Sequence, residues 1–434
     1  GPSSSPVKLS KEDLLILKYI CAEIREKSLD MVYQAKSGHL GGSLSLVEIM
    51  VALYFGRILN YDAKDPNWLD RDRLVLSKGH ASAVYYATLA KAGYLPEEEL
   101  LTFRKLGSRL QGHIERMRLP GAEISTGRLG QGLSIASGVA YTLKIDGRKA
   151  KVFCILGDGE LQEGQVSEAR EHIPTLGLDN IIAIIDANKY QIDGKTKEVD
   201  AGDIRAKWQA SDWKVLEIKD GNNIRQVLET LSIAKKENKP VVVIAHTIKG
   251  YKGGSAIETD PLKYHGGVPD ERTYEGSTVE IQAEKDKYRR QIQGEIDSKV
   301  REFIKKRKLT PQEKEKLSKR TKTPEGFILP PERPIYPTGG AKFETRAAFS
   351  NYLVKLASLN KRIFAASADL TESLRFNIIE GVIEERYLHM GIREQHMIGF
   401  GLGLGKEGKL LFGGTFDVFL ATAISQIEMA AVNE

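Results

Sequence analysis

The stretch Lys151-Val-Phe-Cys-Ile-Leu156-Gly157-Asp158-Gly159, followed by Asn180-Ile-Ile-Ala-Ile-Ile-Asp186-Ala187-Asn188, decides how this chain folds. Each begins as a short apolar run that reads as a buried strand, and residues 164–176 between them read as a helix. Strand, helix and strand, with both strands apolar throughout, imply a parallel sheet covered on both faces. Sites in such sheets lie at the carboxyl ends of strands, here at Gly157 and at Asp186 to Asn188. The glycines let the backbone approach a bulky anion, and the start of the following helix supplies N–H donors and partial positive charge. Asp158 offers a hard oxygen ligand, and one intervening helix brings Asn188 to the same edge of the sheet. Mg²⁺ takes about six oxygens and is usually held by few protein groups plus phosphates. The pattern points to a site for a diphosphate and a divalent cation.

The alternation continues outward. Residues 73–77, 213–218 and 240–247 read as further strands, the last ending beside Lys249, and 224–236 reads as a helix. Upstream, residues 11–57 carry helical periodicity, interrupted by a turn at Ser37-Gly38-His39-Leu40-Gly41-Gly42; residues 80–93 read as helix. The fold class is therefore α/β, with two domains of mainly parallel sheet flanked by helices. The expected organisation is a first domain at 7–275, a charged and then Pro-rich connector at 276–336, and a second domain at 337–434. The second domain offers helices at 343–359, 393–404 and 416–431 and strands at 362–367, 387–390 and 409–412. Three strands make a thin sheet, so this domain reads as the amino-terminal part of a larger one.

Composition removes several classes of function. Apolar residues are 41% and charged residues 28% of the 434, ordinary values for a globular enzyme. No apolar run reaches the ~18–20 residues that span a bilayer, and the start, Gly-Pro-Ser-Ser-Ser-Pro, has no apolar core of a signal peptide. Two cysteines, Cys21 and Cys154, argue against a disulfide framework and suit a reducing cytoplasm. The net charge of +6 lies largely in residues 298–322, mixed with acids and lacking interleaved aromatics, which reads as a solvated helical connector and not a nucleic-acid patch.

With Gly157-Asp-Gly-Glu-Leu-Gln-Glu-Gly164 and Asp186-Ala-Asn188 in place, the sequence resembles the transketolase family over about residues 15–434. Other motifs follow in family order: Ala35-Lys-Ser-Gly-His39, Asp72-Arg-Leu-Val-Leu-Ser-Lys-Gly-His80, Gln111-Gly-His113, Thr126-Gly-Arg-Leu-Gly-Gln-Gly132, Lys249-Gly250 with His265-Gly266, and Gly391-Ile-Arg-Glu394. The resemblance implies thiamine diphosphate and Mg²⁺ (or Ca²⁺ or Mn²⁺) as cofactors, with Asp158, Asn188 and the Tyr190 carbonyl on the metal. It implies His80, Gly127, Leu129, Gly159, Asn188, Ile192, Lys249 and His265 around the cofactor, joined from the second domain by Asp369, Leu370, Glu394, Phe416 and Phe419. It further implies sugar phosphates as substrates, with His39, His113, His265, Arg346 and Ser373 holding them. Family sites form between subunits, so a homodimer or higher assembly is expected, with no nucleic-acid or membrane partner. Arg128 departs from the proline or small residue common in the family, and Val166-Ser167 from an aromatic or histidine pair.

The implied chemistry is transfer of a two-carbon ketol unit from a ketose phosphate to an aldose phosphate, in the pentose phosphate pathway, through a carbanion of the cofactor. Glu394, among apolar neighbours on its helix, is the candidate carboxylic acid against the aminopyrimidine, its pKa expected to rise with burial. His39, His80, His113 and His265 sit in Gly-flanked loops and suit proton traffic among sugar hydroxyls as neutral imidazoles. His172, His246, His389 and His396 read as surface or packing residues. The competing readings are a related thiamine-diphosphate ketolase or synthase for another sugar, and a cofactor-binding subunit that needs a second polypeptide to complete the pyrimidine-binding and carboxyl-terminal domains.

Overall fold

Five strands, β1 (Arg73–Leu76), β2 (Val152–Gly157), β3 (Ile181–Ala187), β4 (Lys214–Ile218) and β5 (Val241–His246), make one parallel sheet in the order β1-β2-β3-β5-β4. They come from a computed structural model that describes residues 9–319, 326–331, 342 and 344–433. All five strands lie where the sequence pattern put them. Side chains alternate between two cores: Phe153, Ile155, Ile182 and Ile184 pack on one face, and Val152, Cys154, Ala183 and Ile185 on the other. Double-sided burial is why β2, β3 and β5 read as unbroken apolar runs. Gly157 pairs with Asp186 across β2 and β3, so the two strands end side by side and their loops meet at one edge.

The second sheet is also parallel, in the order β7-β6-β8, from β6 (Ile363–Ser367), β7 (Tyr387–His389) and β8 (Leu410–Gly414). Helices Thr345–Leu359 and Asn377–Ile383 cover one face, where Leu353, Ile363, Phe376 and Ile379 meet. The helix Glu394–Lys406 covers the other, with Met397, Phe400 and Leu404 on Phe364 and Ala366. No helix among the described residues is long and apolar enough to cross a membrane. Residues 1–6 and most of the Pro-rich run at 329–337 lie outside the described residues.

Two expectations need correction. The stretch expected as a turn at 37–42 contains a short helix, Leu40–Leu44. The single helix expected over 416–431 is broken into Asp417–Leu420, a tight turn at Ala421–Ala423 and Ile424–Asn433. The boundary expected at 275/276 falls inside the helix Glu271–Gln291, which packs along the first helix, Lys11–Ala35. There Tyr274 stacks on Tyr33 with ring centroids 3.8 Å apart, and Lys285 pairs with Glu26 at 2.7 Å. Further helices, Ile296–Arg307 and Pro311–Leu317, follow, and Lys314 of the latter reaches Asp62 and Asp65 of the first domain at 2.8 and 2.9 Å.

The two domains meet where the helix Glu394–Lys406 lies on the helix Gly132–Ile145. Glycine permits the close approach. A Cβ on Gly138 would stand 2.0 Å from the Phe400 carbonyl oxygen, and one on Gly403 2.1 Å from that of Ile135. Beside this contact, Arg73 grips Glu407 through two 3.0 Å bonds, and Lys406 reaches Glu123 at 2.6 Å. Adding one methyl in Gly403→Ala must push the helices apart and is expected to cost about 1–3 kcal/mol by overpacking. Thermal unfolding followed together with limited proteolysis of the second domain checks this.

Candidate active site

Four loops at the carboxyl edge of the first sheet bring together histidines far apart in sequence. The His39 ring lies 5.2 Å from His80, 6.3 Å from His113 and 5.8 Å from His265, and His80 lies 5.9 Å from His265, centroid to centroid. Gly127 is needed beside them, because a Cβ there would sit 3.2 Å from the His113 ring. Burial holds all four imidazoles below their usual pKa, and nearby cations add to it. His39 falls to about 4 with His113 and Arg104 beside it, and His265 to about 3 with Lys249 beside it. His80 is pushed well down, with Lys78 adjacent, and His113 is lowered with Arg104 nearby. The cluster is neutral at physiological pH, so each ring has one nitrogen to donate and one to accept. His39 Nδ1 is buried without a hydrogen-bond partner among the described residues.

The edge formed by β2 and β3 carries the candidate metal residues. Asp158 accepts from its neighbour Gly159 N–H at 2.9 Å and from Lys189 N–H at 2.6 Å. Asn188 accepts the Tyr190 N–H at its Oδ1, 3.1 Å away. Lys189 is held at φ +70°, a strained position for a residue with a side chain. Burial, with Asp186 close by, pushes the Asp158 carboxyl up to about 6. A carboxylate forced toward neutrality is stabilised by a cation, and one carboxylate, one amide and one backbone carbonyl form a hard oxygen set suited to Mg²⁺. Among the described residues no group of three or more His, Cys, Asp or Glu is placed to hold a metal, so any ion here needs oxygens from elsewhere, as a diphosphate would supply. Lys249 completes the edge. Its ammonium lies 3.4 Å from the carbonyls of Tyr190 and Gln191 and contacts His265 Nδ1. Burial, with Lys78 near, lowers it to about 8. Ile192 and Leu129 stand exposed on the flanking loops, and Gly159 keeps space beside Gln191, whose Cβ a methyl there would approach to 3.4 Å.

Three residues beneath this edge were quoted in the motifs but given no role. Asp186 is fully buried and takes the Lys78 ammonium at 2.6 Å, the Ser45 hydroxyl at 2.7 Å, the Asn188 amide at 3.2 Å and the Thr247 hydroxyl. Glu160, also buried, accepts from Gly130 N–H at 2.8 Å, from Gly157 N–H at 3.0 Å and from Ser77. It ties the Thr126–Gly132 loop to the Gly157-Asp158-Gly159 turn. The signal available was a lone acid ending an apolar run and a lone Lys beside a strand end. Neither is specific without the partner.

The second-domain candidates form their own group. The Arg346 guanidinium donates to the Ser373 carbonyl at 2.7 Å. Asp369, at the end of β6, is held at φ +59°, with Leu370 half-buried beside it. Phe416 and Phe419 face each other at 5.7 Å and are 38% and 45% exposed, an apolar pair left uncovered. Glu394 accepts from the Thr415 hydroxyl at 3.2 Å and is half-buried, not enclosed in an apolar pocket as expected, and Phe416 and Phe419 beside Thr415 are themselves part exposed. Among the described residues no hydrogen bond, ion pair or ring contact joins this group to the histidine cluster or the Asp158 edge within the chain. Arg128, the residue that departs from the resemblance, reaches Ser425 at 2.8 Å and pairs with Glu428, so it links the Thr126–Gly132 loop to the last helix.

The family described as transketolase, thiamine diphosphate binding domain, matches residues 16–322, and that described as transketolase, pyrimidine binding domain, matches residues 341–434. Human transketolase is 33% identical over 431 residues, covering 98% of this chain but only 64% of its own length. A Clostridium protein named 6-deoxy-6-sulfo-D-fructose transketolase subunit SqwG is 38% identical over 275 residues, 63% of this chain and 98% of that one. The crystal structure of transketolase from Campylobacter jejuni superimposes with a TM-score of 0.79 at 30% identity, covering 96% of this chain and 67% of that one.

Proposed function

The chain belongs to the transketolase family, and from that premise we propose that it transfers a two-carbon ketol unit from a ketose phosphate to an aldose phosphate, as in the pentose phosphate pathway. The observation that carries this reading is the neutral histidine cluster set against the Asp158–Asn188 edge. Thiamine diphosphate supplies, when bound, a nucleophilic thiazolium carbon able to accept the two-carbon unit. The residues of the chain do the rest. Asp158, Asn188 and the Tyr190 carbonyl hold Mg²⁺, or Ca²⁺ or Mn²⁺ in its place. His80, Gly127, Leu129, Gly159, Ile192, Lys249 and His265 hold the cofactor, with Asp369, Leu370, Phe416 and Phe419 from a second subunit. His39, His113 and His265 bind sugar hydroxyls and move protons among them, which needs imidazoles kept uncharged by burial. Glu394 holds a proton against N1′ of the aminopyrimidine, and Arg346 and Ser373 hold the sugar phosphate. The assembly we propose is a homodimer with sites between subunits. Its two cysteines, buried and unpaired, fit a cytoplasmic location.

A second reading has one observation in its favour. The Clostridium relative, named a subunit for a sulfonated sugar, matches 275 residues of this chain over 98% of its own length. On that reading the chain is a ketolase for another sugar, or works with a second polypeptide that completes the second domain. A coupled ketol-transfer assay across several ketose phosphates and sulfonated ketoses, with and without Mg²⁺ and thiamine diphosphate, separates the readings. Turnover of ordinary ketose phosphates supports the first, turnover only of other sugars or only with an added polypeptide supports the second, and no transfer under any condition refutes both. Cofactor and metal should also bind together. Calorimetry in chelator is expected to show cofactor affinity reduced at least about tenfold, as lost charge-assisted bonds imply; full affinity without metal would count against the Asp158 edge.

A further inference from the structure

Two histidines that read as packing residues form part of a directed hydrogen-bond chain across the domain boundary. His172 ends the helix Gly164–His172 in the first domain, and His396 lies in the first turn of Glu394–Lys406 in the second. Both are buried, His396 completely. Their rings meet edge to face at 5.1 Å, with His172 Nδ1 3.0 Å from His396 Nε2. His172 Nε2 lies 3.2 Å from the carbonyl oxygen of His389, and His396 Nδ1 lies 2.9 Å from Ser134 Oγ. The Gln165 amide donates to Ser134 Oγ at 3.0 Å, and the Gln426 amide donates to Gln165 Oε1 at 2.7 Å.

One end sets every proton in this chain. A carbonyl oxygen only accepts, so His172 carries its hydrogen on Nε2 and presents a lone pair at Nδ1. His396 must then donate from Nε2 and accept at Nδ1. Ser134 is left as the donor to His396 and accepts in turn from Gln165. The bonds from Gln426 to Gln165, Ser134 to His396, His396 to His172, and His172 to His389 each pass between domains. The His396 N–H adds a bond to Glu168 at 2.8 Å.

We infer that the His172–His396 pair is a positioning unit for Glu394, fixing the first turn of its helix against the first domain, and that it does so only while both rings are neutral. The part that concerns Glu394 rests on the role proposed for that residue; the fixing of the helix does not. The charged groups facing the pair are Glu168, Arg393, which lies 3.6 Å from Glu171, and Glu394 at the head of the same turn. The His389 imidazole turns to Glu380 instead, at 2.7 Å. From the helix Gly132–Ile145, Ser134 faces the pair directly and Tyr141 through Phe400, which packs on both imidazoles. A proton added at His172 Nδ1 would face the His396 N–H with no acceptor between the rings. Burial keeps both rings below their usual range, helped by Arg393.

Amide hydrogen–deuterium exchange of residues 390–400 in the full chain tests this directly, without sugar or cofactor. Protection in the wild type should be constant at neutral pH and fall about tenfold as the pH approaches 4, the scale of one buried hydrogen bond, while the first-domain helix Ile224–Ala234 stays protected. His172→Phe, which keeps a ring but no nitrogens, should lose about tenfold already at neutral pH. His172→Gln, whose amide accepts from His396 and donates to His389, should restore protection there. With Mg²⁺ and thiamine diphosphate added, C2-proton exchange of the bound cofactor should slow about tenfold in His172→Phe at unchanged cofactor affinity, and recover in His172→Gln. Wild-type protection in His172→Phe, or no acid loss in the wild type, overturns the inference. A loosened helix with unaltered C2 exchange overturns its link to Glu394. Absent C2 exchange in the wild type would count against the proposed function and leave the helix readout to decide the rest.

Discussion

Glu394→Ala is expected to lower ketol transfer by about 10²–10⁴-fold, the range for losing one positioned acid or base, with cofactor affinity little changed. Glu394 heads its helix immediately after Gly391, whose φ of +67° turns the chain, and is tied to Thr415, the residue before Phe416. A carboxyl grouped with two uncovered phenylalanines is a poor solvent face and a good lid for an aromatic ring. Glu394→Gln keeps a hydrogen-bond donor but cannot share a proton, so it should remain impaired. A coupled assay at saturating cofactor and metal measures both. An unimpaired alanine variant would remove Glu394 from the chemistry. The absence of contact between Glu394 and the histidine cluster within one chain gives a sharper form of the test. Mixed with Asp158→Ala, also inactive alone, Glu394→Ala should regain activity, about a quarter of wild type if subunits exchange at random into symmetric dimers. Failure to regain any would count against sites shared between subunits.

Much of this was legible because the central strands of the first sheet are buried on both faces. Val152 to Leu156 and Ile181 to Ile185 had to be apolar at every position, and no helical pattern competes with that. The loops were harder. Gly41 and Gly42 look like turn residues, but they serve close approach inside a short helix: a Cβ on Gly41 would meet the Tyr264 carbonyl at 2.9 Å and one on Gly42 the Lys78 ammonium at 3.4 Å. The charged run after 275 read as solvated connector because periodicity does not reveal that Lys285 has its partner in the first helix. Of the histidines, the four in Gly-flanked loops lie within one cluster. His172 and His396 did not announce themselves, since each lies on a helix and gains meaning only from the other, 224 residues away. The same holds for Lys78 and Asp186, separated by 108 residues.

That last pair carries the other large effect. Lys78→Met is expected to destabilise the fold by about 3–5 kcal/mol, because it strips the partner from a buried anion. Lys78 is 2% exposed and Asp186 0%, so water cannot take the place of the ammonium. Asp186 has its acceptor positions filled by Lys78, Ser45, Thr247 and the Asn188 amide, which makes it a support and not a metal ligand. By accepting from Asn188 Nδ2 it turns Asn188 Oδ1 toward the Tyr190 N–H and the metal edge. Removing Lys78 also removes a charge that opposes the rise of the Asp158 pKa, so the Asp158 carboxyl should hold a proton more tightly still. The sign for Asp158 follows from linkage. Its folded pKa, about 6, exceeds the ordinary 3.8, so without a cation its contribution to stability is lost as pH rises through about 6. A divalent ion should therefore stabilise the wild type more above that pH than below it. Lys78→Met/Asp186→Asn removes both charges together and should recover most of the lost stability, though not the orientation of Asn188. Thermal unfolding of wild type, single and double variants, each with and without Mg²⁺, reads all of this; equal losses in the single and double variants would mean that the buried charge is not the cause.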